Sequence, residues 1–279
     1  MKQYPTALTI AGSDSCGGAG IQADIKAISA LGCYAASAIT AITAQNTLGV
    51  EAIEAVSPEV VAAQIRAVMD DIRPAAVKIG MVNDRDTIKA IASTLGKYAV
   101  GNLVVDPVMV STSGSRLMQP DAMETFRHEL MPMCTLLTPN LPEAEALSGI
   151  HIYNVDDCDK AAGIIARGCG GYVLIKGGHS AGNGKKQDRL YDRNGLLAST
   201  FAAKTVDTRN THGTGCTLSA AITALLARGL AMTEAIGQAK EYVSAAIAAG
   251  ADVSIGHGHG PVNHFFNPQK LMPSYIEKT

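Results

Sequence analysis

Apolar residues in this chain come in short runs that alternate between two spacings. A compact run, Ala7, Leu8, Thr9 and Ile10, reads as a buried strand and ends at a glycine-rich segment, 12–20. From Ile21 the spacing lengthens: Ile21, Ile25 and Ile28 fall three or four apart, on one face of a helix. Strand, turn and helix in that order open a βαβ unit. The same alternation predicts strands at 33–44, 75–80, 103–107, 135–139 and 172–176. Helices are expected between them at 58–72, 84–95, 121–130 and 157–167, with another opening at Asn140. Pro58 stands at a helix start, where its missing amide costs nothing. Short apolar strands separated by helices predict a mainly parallel sheet covered on both faces, an α/β fold.

The pattern changes after His179. Residues 180–189 are polar, with Gly182, Gly184 and two lysines, and read as a mobile loop that closes over a bound nucleotide. Residues 190–192 and 196–203 read as a small β-hairpin turning at Asn194-Gly195. Two helices follow, 217–226 and 233–250. The run Gly256-His257-Gly258-His259-Gly260 reads as a surface turn, because three glycines and no nearby acid do not make a metal site.

Composition narrows the class. Hydrophobic residues make up 47% and charged residues 17%, enough apolar surface for a large core. The 279 residues show no compositional break and read as one domain, 1–279. A net charge of −2, no long basic run and only 4% aromatics argue against nucleic-acid binding. The six cysteines form no C-x-x-C pair, so free thiols and a reducing cytoplasm are expected. The N-terminus does not read as a signal peptide, and no apolar run is long enough for a membrane span.

Ligands of open parallel sheets bind beyond the carboxyl ends of the strands. Asp14, Gln45, Lys78, Asp106, Asn140, Glu143 and Lys176 all fall there. The stretch Asn210-Thr211-His212-Gly213-Thr214-Gly215-Cys216-Thr217 stands out further. Its glycines precede an alanine-rich helix, whose first amides lack partners and carry partial positive charge. Such a place suits a phosphate. Cys216 lies in that first turn, where a thiolate is expected to be stabilised. Neither a dinucleotide fingerprint nor a Walker loop is present.

Taken in order, these clusters resemble the ribokinase-like superfamily, and within it the hydroxymethylpyrimidine and phosphomethylpyrimidine kinases of thiamine biosynthesis. The resemblance rests on A-G-S-D-S-C-G-G-A-G-I-Q-A-D at 11–24, A-Q-N-T at 44–47, K-I-G-M at 78–81 and D-P-V-M at 106–109. It continues through T-P-N-L-P-E-A at 138–144, K-G-G-H at 176–179, N-T-H-G-T-G-C-T at 210–217 and G-P-V-N-H-F at 260–265. It implies a three-layer α/β/α kinase with a small β-flap. It also implies transfer of the ATP γ-phosphoryl group to a pyrimidine hydroxymethyl group, then to the resulting monophosphate, in a homodimer.

Residue chemistry agrees with that reading. The amides of Gly213, Thr214, Gly215 and Cys216 are expected to hold the transferring phosphoryl group. Asp106 and Glu143 offer the hard oxygens that Mg2+ prefers, although Asn140 and Glu143 also read as helix caps. Lys176 is expected to reach the ATP phosphates, and Asn140, Thr211, His212 and Gly215 are expected to bind ATP with it. Gln45 offers a donor and an acceptor to an aminopyrimidine edge. Gly12, Met81 and Val108 line the substrate side, the last two equally readable as core. Asp24 reads either as a substrate-site residue or as part of a solvated helix face. Cys216 stands where much of the superfamily has an aspartate base, and is expected to take the hydroxyl proton. A cysteine-bearing pyridoxal kinase is the alternative, which Gln45 disfavours. The helix around 242–249 is expected, by resemblance, to flank the adenine.

Overall fold

Alternate residues of the second strand pack into two different cores. Leu8 and Ile10 face one, Ala7 the other, and all three are fully buried. The computed structural model describes residues 2–110, 114, 117–177 and 185–275. Its strands are β1 (Lys2–Gln3), β2 (Thr6–Ala11), β3 (Tyr34–Ile39), β4 (Ala41–Gln45), β5 (Val50–Ala55), β6 (Ala76–Ile79), β7 (Leu103–Val105), β8 (Leu136–Leu137), β9 (Tyr172–Ile175), β10 (Lys185–Tyr191), β11 (Leu197–Lys204) and β12 (Ser274–Tyr275). The helices are α1 (Gly20–Ala30), α2 (Pro58–Asp71), α3 (Arg85–Leu95), α4 (Ala122–Thr125), α5 (Leu141–Ser148), α6 (Val155–Gly168), α7 (Thr214–Ala227) and α8 (Met232–Ala249).

Eight strands form one sheet in the order β11-β10-β9-β8-β7-β6-β2-β3. From β9 to β3 every pair is parallel, whereas β10 runs antiparallel to both β9 and β11. One face packs Leu8, Ile10, Val77, Ile79 and Val105 against Val61 and Ile65 of α2 and Ile88 and Ile91 of α3. The other packs Ala7, Ala76, Val104 and Leu136 under α1, α7 and α8. Ala220, Ala221 and Ala224 of α7 are fully buried there, and their small side chains let that helix lie close to the sheet. Each buried Leu or Ile contributes about 1.5–3 kcal/mol. This is the expected three-layer α/β/α arrangement. No helix of the described residues is long and apolar enough to cross a membrane.

Several boundaries differ from the sequence expectation. The strand expected at 33–44 is two strands. Thr40 donates its amide to Ala11 and its hydroxyl to Met81, and this turns the chain out of the main sheet. β4 then pairs antiparallel with β5 as a separate two-stranded flap. β5 went unpredicted because it is mostly exposed and carries Glu51 and Glu54, so it lacks an apolar period. The segment read as a loop at 180–189 is in part strand: 185–189 belong to β10, and 180–184 lie outside the described residues. The expected hairpin is present, with Gly195 at positive φ in its turn. The helix expected at 121–130 is α4 continued by a wide π turn, Phe126–Leu130.

Candidate active site

Gly213 caps α7 at φ +76°, a conformation that only glycine adopts without strain. A Cβ there would run into the Gly18 carbonyl, so residue 213 must also be small for the two loops to meet. Thr214, Gly215 and Cys216 form the first turn of α7. Thr214 donates its amide back to Thr211 over 3.2 Å, which corrects the expectation that all four amides are available. Gly215 and Cys216 keep amides without partners inside the helix. The turn is braced from below. Thr217 donates its hydroxyl to the Gly213 carbonyl over 2.8 Å, and its oxygen lies 3.0 Å from His264 Nε2. With that hydroxyl proton spent, His264 must be the donor in the second bond.

Beside the turn sits a cluster of one cation and two carboxylates. Lys176, just past β9, places Nζ 2.7 Å from Asp106 Oδ1 and 4.0 Å from Glu143 Oε2. Asp106, just past β7, also accepts from Thr138 at 3.1 Å and from Ser219 at 3.2 Å. Burial opposes the charge on Asp106, but Lys176, Lys78 and these donors outweigh it and hold its carboxyl below the ordinary range. Burial dominates at Glu143 and pushes it up to about 7, with Lys176 pulling the other way. Lys176 is itself raised: burial would lower it, yet Asp106 and Glu143 together prevail. Asn140 and Glu143 form a reciprocal capping box at the start of α5, each bond 2.8 Å. Their capping and site readings therefore hold at once, because both also line the cavity.

On the opposite side Asp14 is buried and organises the glycine-rich loop. Its Oδ1 accepts the Cys16 amide at 2.9 Å. Its Oδ2 accepts the amides of Gly18 and Ala19 and lies 2.8 Å from His212 Nε2. Burial would raise the Asp14 carboxyl, but His212 and the amides prevail and lower it. Cys16 joins Asp14 and His212 in a group compact enough for a metal ion. Four donors already saturate the carboxylate, so we read this group as a structural cradle. Gln45 Nε2 lies 3.4 Å from His212 Nε2. The latter's proton serves Asp14, which leaves the Gln45 amide to face the cavity.

These groups surround two cavities. The first is lined by Gly12, Gln45, Met81, Val108, Asp106, Asn140, Glu143, Lys176 and residues 211–216. The second is lined by Lys204, Val206, Lys240, Val243, Ser244 and Ile247, among others. They share Asn140, Lys176, Thr211, Thr214 and Gly215. The expected helix thus flanks the second cavity, although Tyr242 itself turns away to donate to the His264 carbonyl. His212, expected along ATP, faces only the first cavity. Asp24 lines neither: it is fully buried in an ion pair with Lys78, which excludes the solvated face too. The Cys216 thiol also departs from expectation, since burial pushes it up to about 11 against the pull of Lys78. Sequence reasoning gave no site role to Lys204 or Lys240, whose lone positions carry no motif. Lys240 is ion-paired with Asp188, which also accepts the Gly177 amide at 3.0 Å.

Comparison with known proteins identifies the family of the chain. The family model described as phosphomethylpyrimidine kinase matches residues 14–263. A hydroxymethylpyrimidine/phosphomethylpyrimidine kinase of Rhizobium meliloti (strain 1021) is 52% identical over 261 residues, covering 93% of this chain and 96% of the relative. The crystal structure of a phosphomethylpyrimidine kinase from Clostridium difficile 630 is 47% identical, with a TM-score of 0.76, over 87% of this chain and 99% of that one. A pyridoxal kinase from Staphylococcus aureus, solved with AMP-PCP and pyridoxal, is 34% identical with a TM-score of 0.85 over 96% of both chains. Two cavities joined at a glycine-rich helix start, in a ribokinase-like sheet, are what a phosphotransferase requires, and the chain belongs to the phosphomethylpyrimidine kinase family.

Proposed function

We propose that this kinase transfers the γ-phosphoryl group of ATP to the hydroxymethyl group of 4-amino-5-hydroxymethyl-2-methylpyrimidine. It then phosphorylates the monophosphate to the diphosphate, in thiamine biosynthesis. One observation carries the reading: the two cavities meet at Thr214 and Gly215. A phosphoryl group held there passes from a nucleotide on one side to an alcohol on the other. Gln45 lines the alcohol side and pairs with an aminopyrimidine edge. Met81 and Val108 supply apolar walls there.

Phosphoryl transfer depends on positioning and charge neutralisation more than on covalent chemistry. The hydroxyl oxygen bonds to the γ-phosphorus, the bond to the bridging oxygen breaks, and ADP leaves. The amides of Gly215 and Cys216 and the Lys176 ammonium face the charge of the moving group. Cys216 accepts the hydroxyl proton as a thiolate. Asp106 and Glu143 fit Mg2+, because two hard carboxylates already converge on one cation, Lys176. Magnesium, when bound, supplies neutralisation of phosphate charge.

The protein works as a cytoplasmic homodimer. All six cysteines are free, which suits a reducing compartment. Ile42, Leu48 and Ile53 of the β4–β5 flap are exposed apolar side chains that a second copy would cover. Analytical ultracentrifugation checks the dimer. The activity is tested by incubation with Mg-ATP and each ring alcohol while ADP is followed. Turnover of hydroxymethylpyrimidine and its monophosphate is expected, and pyridoxal turnover far above both would overturn the reading.

A further inference from the structure

Two cysteine thiols meet at the end of the sheet opposite the candidate active site. Cys134 follows a short 3-10 turn, Met131–Met133, and leads into β8; Cys169 follows the last residue of α6 and leads into β9. Their sulfurs lie 3.0 Å apart, about 1 Å more than the length of a disulfide bond. Both are free thiols. Phosphoryl transfer does not use them, since β8 and β9 carry Asn140 and Lys176 past their other ends.

The backbone holds the pair together. The Gly170 amide donates to the Met131 carbonyl over 3.0 Å, and the Tyr172 amide to the Thr135 carbonyl over 2.9 Å. A Cβ at Gly170 would lie 2.1 Å from the Pro132 carbonyl oxygen, and one at Gly171 2.0 Å from that of Thr135. Glycine at both positions lets the chain after α6 press against the chain before β8. Leu136 stands opposite Tyr172, so the same register sets Cys134 level with Gly170, beside Cys169. Neighbouring strands run about 4.8 Å apart, within the range of about 4.4–6.8 Å between Cα atoms that a disulfide spans. Side-chain rotation therefore suffices to join the sulfurs.

The two thiols are unequal. Cys134 is 2% exposed, and its one proton is shared between the Met131 carbonyl, 3.0 Å away, and Cys169. Cys169 is 9% exposed and lines an open cavity with Arg127, Ile164 and Arg167, a cavity that Cys134 does not reach. A small oxidant entering there meets Cys169 first. The hydrogen bond from Cys134, helped by the Gly171 amide, lowers the Cys169 thiol below its ordinary range against burial. The sulfur that the cavity reaches thus carries the greater thiolate fraction.

We propose that Cys134 and Cys169 are a redox pair that hydrogen peroxide converts to a reversible disulfide. The Cys169 sulfur attacks one peroxide oxygen, the O–O bond breaks, and the departing hydroxide leaves as water with the Cys169 proton. Cys169 is then a sulfenic acid. The Cys134 sulfur attacks the Cys169 sulfur, the S–O bond breaks, and a second water carries off the Cys134 proton. Two thiols and one peroxide become one disulfide and two waters. A thiol reductant reverses the change by exchange, so in a reducing compartment the bond is transient. While it lasts, it staples the chain entering β8 to the chain entering β9.

The test exposes the whole native protein to hydrogen peroxide, raised until the partly exposed Cys16 begins to oxidise, and quenches it with N-ethylmaleimide in denaturant. Peptide mass spectrometry without reductant is expected to show Cys134 linked to Cys169 as the predominant disulfide. The linked peptides weigh two hydrogens less than the separate ones, and dithiothreitol releases them. Recovery of both cysteines as maleimide adducts at that dose would overturn the proposal. The order of attack is read with dimedone, which traps sulfenic acid. Cys134→Ser is expected to give the dimedone adduct at Cys169, and Cys169→Ser to give none at Cys134. Labelling of Cys134 equal to or above that of Cys169 would overturn the assignment of Cys169 as the attacking sulfur. If either variant misfolds, the linkage in the parent protein decides by itself.

Discussion

His212 donates to Asp14 across 2.8 Å and 198 residues of chain. The bond ties the glycine-rich loop after β2 to the start of α7, so two walls of the first cavity are joined directly. The approach is close enough that a Cβ at Gly18 would lie 2.5 Å from the His212 ring. A histidine bond to a buried carboxylate is worth about 1.5–3 kcal/mol. His212→Ala is therefore expected to raise KM for the pyrimidine roughly tenfold or more and to leave KM for ATP near its parent value. Steady-state kinetics with each substrate varied in turn decides. A rise confined to ATP would return His212 to the nucleotide side.

Cys216→Ala removes the proposed proton acceptor with little change in side-chain size. Turnover is expected to fall by roughly 10²–10⁴, the range for a general base, with melting temperature unchanged. The thiol is held up to about 11 in the protein alone, so kcat of the parent is expected to climb with pH through neutrality. A flat profile would count against proton transfer to this sulfur.

Lys176→Met leaves Asp106 and Glu143 facing each other without their shared cation. Loss of one donor to transition-state charge costs about 10²–10³ in kcat. The loss is expected mainly in kcat, with pyrimidine binding, measured by calorimetry without nucleotide, little changed. Weakened pyrimidine binding of the same size would show that Lys176 shapes the substrate side instead.

Gly213→Ala places a Cβ against the Gly18 carbonyl at φ +76°. Backbone strain of about 1–3 kcal/mol follows, and the first turn of α7 must shift. Activity is expected to be lost with a lowered melting temperature. Full activity would mean that this turn does not hold the phosphoryl group.

His264 supplies a stability signal in mildly acidic solution. Burial, helped by Lys26, lowers its pKa to about 4 from 6.5. The unfolded chain therefore binds this proton more readily than the native one between those values. Stability from this group is full above about 6.5 and is lost as pH falls toward 4, by about 3 kcal/mol in all. Glu143, raised to about 7 from 4.5, works in the opposite sense: its contribution falls as pH rises through that window. His264→Gln is expected to reduce the acid loss seen in urea melts between pH 6.5 and 4, and an unchanged slope would refute the assignment.

Local pattern in the sequence was enough for the alternation of strands and helices, the parallel sheet and the polar groups at its carboxyl edge. Apolar period and strand-end placement are properties of neighbouring residues, so no distant contact is needed to read them. Motif order likewise marked Gln45, Asp106, Lys176 and the turn at Gly213–Cys216. Tertiary structure alone decided what depends on distant partners. It set His212 beside Asp14 in the wall of the first cavity, and it buried Asp24 against Lys78. It lifted β4 out of the sheet at Thr40, because that bend is held by Ala11 and Met81 and not by anything in residues 33–44. It also reversed the expectation for Cys216. A helix N-terminus stabilises a thiolate, but desolvation of the sulfur costs more than that dipole and Lys78 return.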